Sequence, residues 1–168
     1  VSSNSATEGS SIVHTVTLSA AVTGSAASYA ITLAGGTATG GGTDYTSTLT
    51  NGMFSDSVTV SGGNISVPVG VSTFTVTVST AGDTIDEANE TYTLTIGGTA
   101  GTGTINDDDA APVITVGDAP SVTAGSPAIF TISLDRAKSS AITVDAACVD
   151  GTLVGGVGYT SNLASATI

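Results

Sequence analysis

β-branched and other apolar residues alternate with small polar ones along most of this chain, and glycine, asparagine or aspartate interrupts each run after a few residues. A side-chain period of two belongs to a strand with one face buried, and no stretch holds the longer period of a helix. The expected strands are Ile12–Leu18, Ser28–Leu33, Ser57–Val60, Phe74–Val78, Tyr92–Ile96, Gly103–Ile105, Ile114–Val116, Ala128–Leu134 and Ala141–Cys148. Turns are expected at Gly35-Gly36, Gly40-Gly41-Gly42, Gly62-Gly63, Gly97-Gly98 and Gly155-Gly156. Strands this short, with turns this frequent, predict an all-β sandwich rather than an α/β fold. With three Phe, four Tyr and no Trp, its core must be built from Val, Ile, Leu and Ala.

The chain also repeats itself. The turn Thr7-Glu8-Gly9-Ser10-Ser11 leads into Ile12-Val13-His14-Thr15-Val16-Thr17-Leu18. It returns without a gap as Thr123-Ala124-Gly125-Ser126-Pro127 followed by Ala128-Ile129-Phe130-Thr131-Ile132-Ser133-Leu134. Further on, Gly42-Thr43-Asp44-Tyr45-Thr46 is answered by Gly156-Val157-Gly158-Tyr159-Thr160. The expected organisation is a complete repeat over residues 1–109, a short stiff linker Ala110-Ala111-Pro112, and a partial second repeat over 113–168. Val1 opens abruptly on strand sequence, so the chain reads as a segment of a longer protein whose targeting signal would lie elsewhere. Half a sandwich leaves an apolar face and strand edges uncovered. Either the second repeat is cut short, or other copies of the chain complete it by strand addition, as in a filament subunit.

Charge narrows the partners. Fourteen acidic residues face two basic ones, Arg136 and Lys138, for a net charge of −12. Such a chain repels nucleic acid and anionic membrane surfaces, and no apolar stretch is long enough to cross a bilayer. Half of the acidic residues fall in two bursts, Asp83-Thr84-Ile85-Asp86-Glu87-Ala88-Asn89-Glu90 and Asp107-Asp108-Asp109. If both segments end at one pole of the sandwich, their carboxylates and nearby turn carbonyls could supply the oxygens calcium requires, and the loop residues Glu8 and Asp44 could join them. A solvated acidic turn that binds nothing is the plainer reading; three consecutive aspartates repel one another and favour a cation.

These residues carry a resemblance. Thr7-Glu8-Gly9, Gly42-Thr43-Asp44-Tyr45, the run from Asp83 to Tyr92, and Asp107-Asp108-Asp109 together resemble a Calx-β domain over nearly all of residues 1–109 and, less closely, 113–168. The resemblance implies an immunoglobulin-like β-sandwich, found in sodium–calcium exchangers and in tandem arrays in large secreted bacterial adhesins. It also implies calcium as the bound ion, with Glu8, Asp44, Asp86, Glu90 and Asp107–Asp109 at the ligand positions and Asp83 in the same acidic run. The chain departs from the family at Ala81 and Gly82, where aspartates are common. The second repeat departs at Ala124 and Gly158, which replace Glu8 and Asp44.

Other chemistries fit poorly. His14, the lone histidine, shares its strand phase with Ile12, Val16 and Leu18, which predicts a core position rather than a catalytic base. One histidine also rules out a conventional multi-histidine zinc site. Cys148 has no histidine near it in sequence and reads as a small buried hydrophobe, and the glycine pairs lack the lysine that follows in a phosphate loop. The expectation is therefore not an enzyme but a calcium-binding structural repeat of an extracellular or cell-surface bacterial protein, with neighbouring repeats as its partners.

Overall fold

In a computed structural model, residues 1–152, 154–156, 158–161 and 166–167 are described. Val157 of the second glycine-rich turn and the terminal Ile168 lie outside the described residues. The chain divides into two compact units, Val1–Ala111 and Pro112–Ile168.

The first unit is a β-sandwich. Its strands are β1 (Asn4–Thr7), β2 (Ser11–Thr17), β3 (Ala27–Gly35), β4 (Thr59–Ser61), β5 (Asn64–Val67), β6 (Thr73–Ser79), β7 (Glu90–Ile96) and β8 (Thr99–Asn106). Six of them form one sheet in the order β1-β8-β7-β3-β5-β4; β2 and β6 pair antiparallel in the other. The second sheet continues past β6 through isolated bridges, Tyr45 to Thr80 and Phe54 to Val76. Strand β1 runs parallel to β8, and the chain then crosses to the other sheet to form β2.

Burial follows the sequence alternation. Ile12, His14 and Val16 of β2 are buried while the residues between them are exposed, and Phe74, Val76 and Val78 of β6 repeat the pattern. They face Ile31, Ile65, Val67, Leu94 and Ile96 of the large sheet. Burying a side chain of this size stabilises by roughly 1.5–3 kcal/mol, so this interleaving is the main source of cohesion. Strands β7 and β8 turn at Gly97-Gly98, both at positive φ, as a two-residue hairpin requires.

Beside the aliphatic core lies a second cluster of Ile12, Ala38, Tyr45, Val78, Tyr92 and Ile105. The rings of Tyr45 and Tyr92 stack with centroids 4.8 Å apart, and Tyr92 meets His14 edge-on at 5.6 Å. The Tyr92 ring lies over Gly103 of β8, so closely that a Cβ there would overlap it. His14, fully buried, is satisfied on both nitrogens: Nδ1 lies 2.8 Å from the Ser2 carbonyl and Nε2 2.9 Å from the Tyr92 hydroxyl. The carbonyl can only accept, so Nδ1 carries a proton, and in the neutral ring Nε2 accepts from Tyr92. The histidine is thus a core residue, as its strand phase predicts.

The second unit carries β9 (Ile114–Val116), β10 (Ile132–Leu134), β11 (Thr143–Val144) and β12 (Ala166–Thr167), paired as β9 with β10 and β11 with β12. The long strands expected over 128–134 and 141–148 form only at 132–134 and 143–144. A strand persists where a neighbour satisfies its backbone, and two-stranded ribbons offer one neighbour each. Cys148, expected to be buried, is exposed for the same reason.

Candidate metal centre

Four chain segments converge at one end of the sandwich. Glu8 sits in the turn between β1 and β2, held where its N–H donates to the Asn106 carbonyl at 3.0 Å. Asp44 precedes the bridge from Tyr45 to Thr80, and its carbonyl accepts from the Ala81 N–H at 2.9 Å. Glu90 opens β7, opposite Ile105 of β8, and Asp107–Asp109 leave the end of β8. These loops approach backbone to backbone: a Cβ on Gly82 would lie 3.0 Å from the Gly9 nitrogen. A larger residue at 82 would push the segment away from Glu8, which accounts physically for glycine here.

The acidic side chains form two trios. Oxygens of Glu8, Asp107 and Asp109 lie within 4.8 Å of one another, and so do those of Asp44, Glu87 and Glu90. Several oxygens also pin the surrounding backbone. Glu8 Oε1 accepts from the Asp83 N–H at 3.1 Å, Asp107 Oδ1 from Glu87 N–H at 3.2 Å, and Asp44 Oδ2 from Thr39 N–H at 2.5 Å. Asp83 itself caps a local turn through the Ile85 N–H at 2.7 Å. A cleft between the trios is lined by Glu8, Thr43, Asp44, Asp83, Glu87 and Glu90 among others. One oxygen stands apart: Asp109 Oδ2 is shut off from solvent and has no hydrogen-bond partner.

Electrostatics here is one-sided. Two like charges 4.8 Å apart repel by about 1 kcal/mol in a water-like medium and by about 3.5 kcal/mol at an effective dielectric near 20. The protonation equilibria register the crowding. Burial raises Glu90 first, then its hydrogen bond to Asp44 and the charges of Asp44, Glu87 and Glu8, together to about 7. Glu87 is raised by burial and then by Asp83, Asp44, Asp107 and Asp109. Glu8 is raised by burial and neighbouring carboxylates, against the lowering pull of the Asp83 N–H.

The structure thus gathers six of the eight residues expected from sequence at one pole: Glu8, Asp44, Asp83, Glu90, Asp107 and Asp109. Asp86, half-buried, and Asp108, exposed, belong to neither trio. Glu87 joins the second trio and was not among the expected ligands. Counting back from Glu90 at a period of two points to Asp86, but β7 begins only at Glu90, so strand phase does not extend to this loop. Glu87's place inside the acidic run was the available signal.

The donor set suits a hard cation. All six trio side chains are carboxylates, His14 is consumed in the core, and Cys148 belongs to the other unit. Oxygen ligands of this kind select calcium, magnesium or manganese over the softer metals. The 4.8 Å bound on each trio also matches the span of roughly 5 Å across a calcium coordination sphere. A cation at the first trio would sit where Asp109 Oδ2 lacks a partner. No protein-family model matches the chain, and neither does any curated protein or solved structure.

Proposed function

We propose that the first unit is a calcium-binding structural repeat, of the Calx-β kind with its immunoglobulin-like sandwich, from an extracellular bacterial surface or adhesin protein. Asp109 carries the reading. A carboxylate oxygen removed from water with no donor costs on the order of 1–3 kcal/mol, and its nearest candidate partners, Glu8 and Asp107, are also acidic. A divalent cation offsets that cost and the repulsion within both trios at once. Calcium fits better than magnesium because three crowded carboxylates plus carbonyls and water suit its larger, irregular shell.

The function follows from what is tied together. Glu8 belongs to the β1–β2 turn, Asp44 to the loop after β3, Glu87 and Glu90 to the approach to β7, and Asp107 and Asp109 to the end of β8. A cation in each trio cross-links these loops and fixes the course of residues 107–109, which run directly into the linker 110–112. Calcium acts here as a staple, stiffening the exit from the repeat. The second repeat, with Ala124 and Gly158 at the corresponding positions, lacks two of the matching carboxylates.

Calorimetric titration of the chain with calcium tests this. The reading requires a saturable heat at up to millimolar calcium, with a stoichiometry of two per chain for the two trios. Asp109→Asn together with Glu8→Gln should remove one of the two. Absence of any saturable heat sinks the proposal.

A further inference from the structure

The two units share local geometry at three places. The turn from Thr7 to Ser10 closes by Ser10 N–H donating to the Thr7 carbonyl at 3.2 Å, with Gly9 at φ +70°; Ser126 donates to Thr123 at 2.9 Å, with Gly125 at φ +90°. Ser2 N–H donates to the Thr15 carbonyl at 2.8 Å, and Gly117 N–H to the Thr131 carbonyl at 2.8 Å. Gly42 N–H donates to the Tyr45 carbonyl at 3.0 Å with Gly42 at φ +93°; Gly156 donates to Tyr159 at 2.7 Å with φ +79°. The same turns close by the same bonds, so residues 128–134 are the structural counterpart of 12–18.

The correspondence identifies an edge. The Thr15 carbonyl meets the N-terminal segment through Ser2, while β2 pairs with β6 on its other side, Ile12 to Val78, His14 to Val76 and Val16 to Phe74. In the second unit the Thr131 carbonyl meets Gly117, next to β9, on the side that corresponds to Ser2. The side that corresponds to β6 has no paired strand among the described residues. The exposures agree: His14 and Val16 are 0% and 3% exposed, whereas Phe130, the counterpart of His14, is 56% exposed and its neighbour Ile129 69%.

We infer that the open edge of residues 128–134 is a strand-acceptor site, and that its occupant is one extended antiparallel strand of β6 chemistry. Strand β6 (Thr73-Phe74-Thr75-Val76-Thr77-Val78-Ser79) is the internal template for that partner: uncharged, β-branched, apolar at every second residue. Main-chain hydrogen bonds supply the affinity, and the phase of the apolar residues over Ala128, Phe130 and Ile132 supplies the selectivity. The absence of charge matters, because a net charge of −12 repels an acidic partner. This inference is independent of cation binding at the other unit.

The test adds a synthetic peptide with the β6 sequence Ser72–Thr80 to the intact chain and follows amide hydrogen exchange. Saturable slowing of exchange across 128–134 by about tenfold or more is expected. A peptide of the same composition with its apolar residues moved to the other phase should give no slowing, and Phe130→Glu should abolish it while leaving exchange in β2 and β6 unchanged. Equal slowing by both peptides, or none by either, overturns the inference. Slowing that rises with protein concentration before any peptide is added makes a second copy the occupant and overturns the choice made here.

Discussion

Glu90 shows how much of the site's behaviour rests on single side chains. Its carboxyl is raised from 4.5 to about 7, mainly by burial and by Asp44. A carboxyl raised on folding contributes stability that is fully present below its unfolded pKa and is lost as pH rises through the folded one. The calcium-free fold should therefore lose stability between about pH 4.5 and 7, with Glu8 and Glu87 adding in the same direction. Calcium reverses this by favouring the ionised form, so its binding near pH 7 should release protons, detectable as a calorimetric heat that depends on the buffer's ionisation enthalpy. Glu90→Gln should remove most of that dependence. Substituting Glu87, the ligand that sequence phase did not pick out, by Gln should weaken calcium binding by about tenfold or more, whereas Asp108→Asn should leave it nearly unchanged. Equal effects at 87 and 108 in a calcium titration would contradict the trio assignment. In the core, Tyr92→Phe leaves His14 Nε2 without its buried partner and should cost about 1–3 kcal/mol in denaturant unfolding.

At the scale of elements, legibility in the sequence tracks how far a strand's fate depends on its own residues. Strands β2, β6 and β7 fall within two residues of expectation at each end, because one face of each is apolar and the sandwich buries that face. Strand β1, Asn4-Ser5-Ala6-Thr7, has no such alternation; it exists because β8 offers a parallel edge, and nothing local announces it. Strand β5 is also absent from the expected set, and the turn Gly62-Gly63 was the clue that a strand should follow β4. The opposite error occurs at 128–134, whose pattern is as regular as that of β2 but whose strand shrinks to three residues without a counterpart to β6. The acidic pole was legible because the carboxylates cluster in sequence, while their sorting into two trios depends on loop geometry that no periodicity encodes. Leu94 of β7, fully buried between the sheets, offers a check on the sandwich itself: Leu94→Ala should destabilise the first unit by about 2–5 kcal/mol. A loss well under 1 kcal/mol would mean that this face is not packed as described.

For the molecule as a whole, the account joins a Val- and Ile-rich sandwich to a pole whose charge it cannot balance alone. Two basic residues against fourteen acidic ones leave no internal source of neutralisation, and both basic residues lie in the second unit. Salt should screen the exposed part of this repulsion but reach the partly buried oxygens poorly, which separates a specific ion from ionic strength in general. The most direct test is thermal unfolding of the chain in millimolar calcium, compared with chelator and with sodium chloride of matched ionic strength. The account predicts that calcium raises the first unit's midpoint by several degrees, about the shift that 2–3 kcal/mol of ligand linkage gives a domain of this size, and that sodium chloride does not. A midpoint that ignores calcium, or that responds equally to sodium chloride, would contradict it.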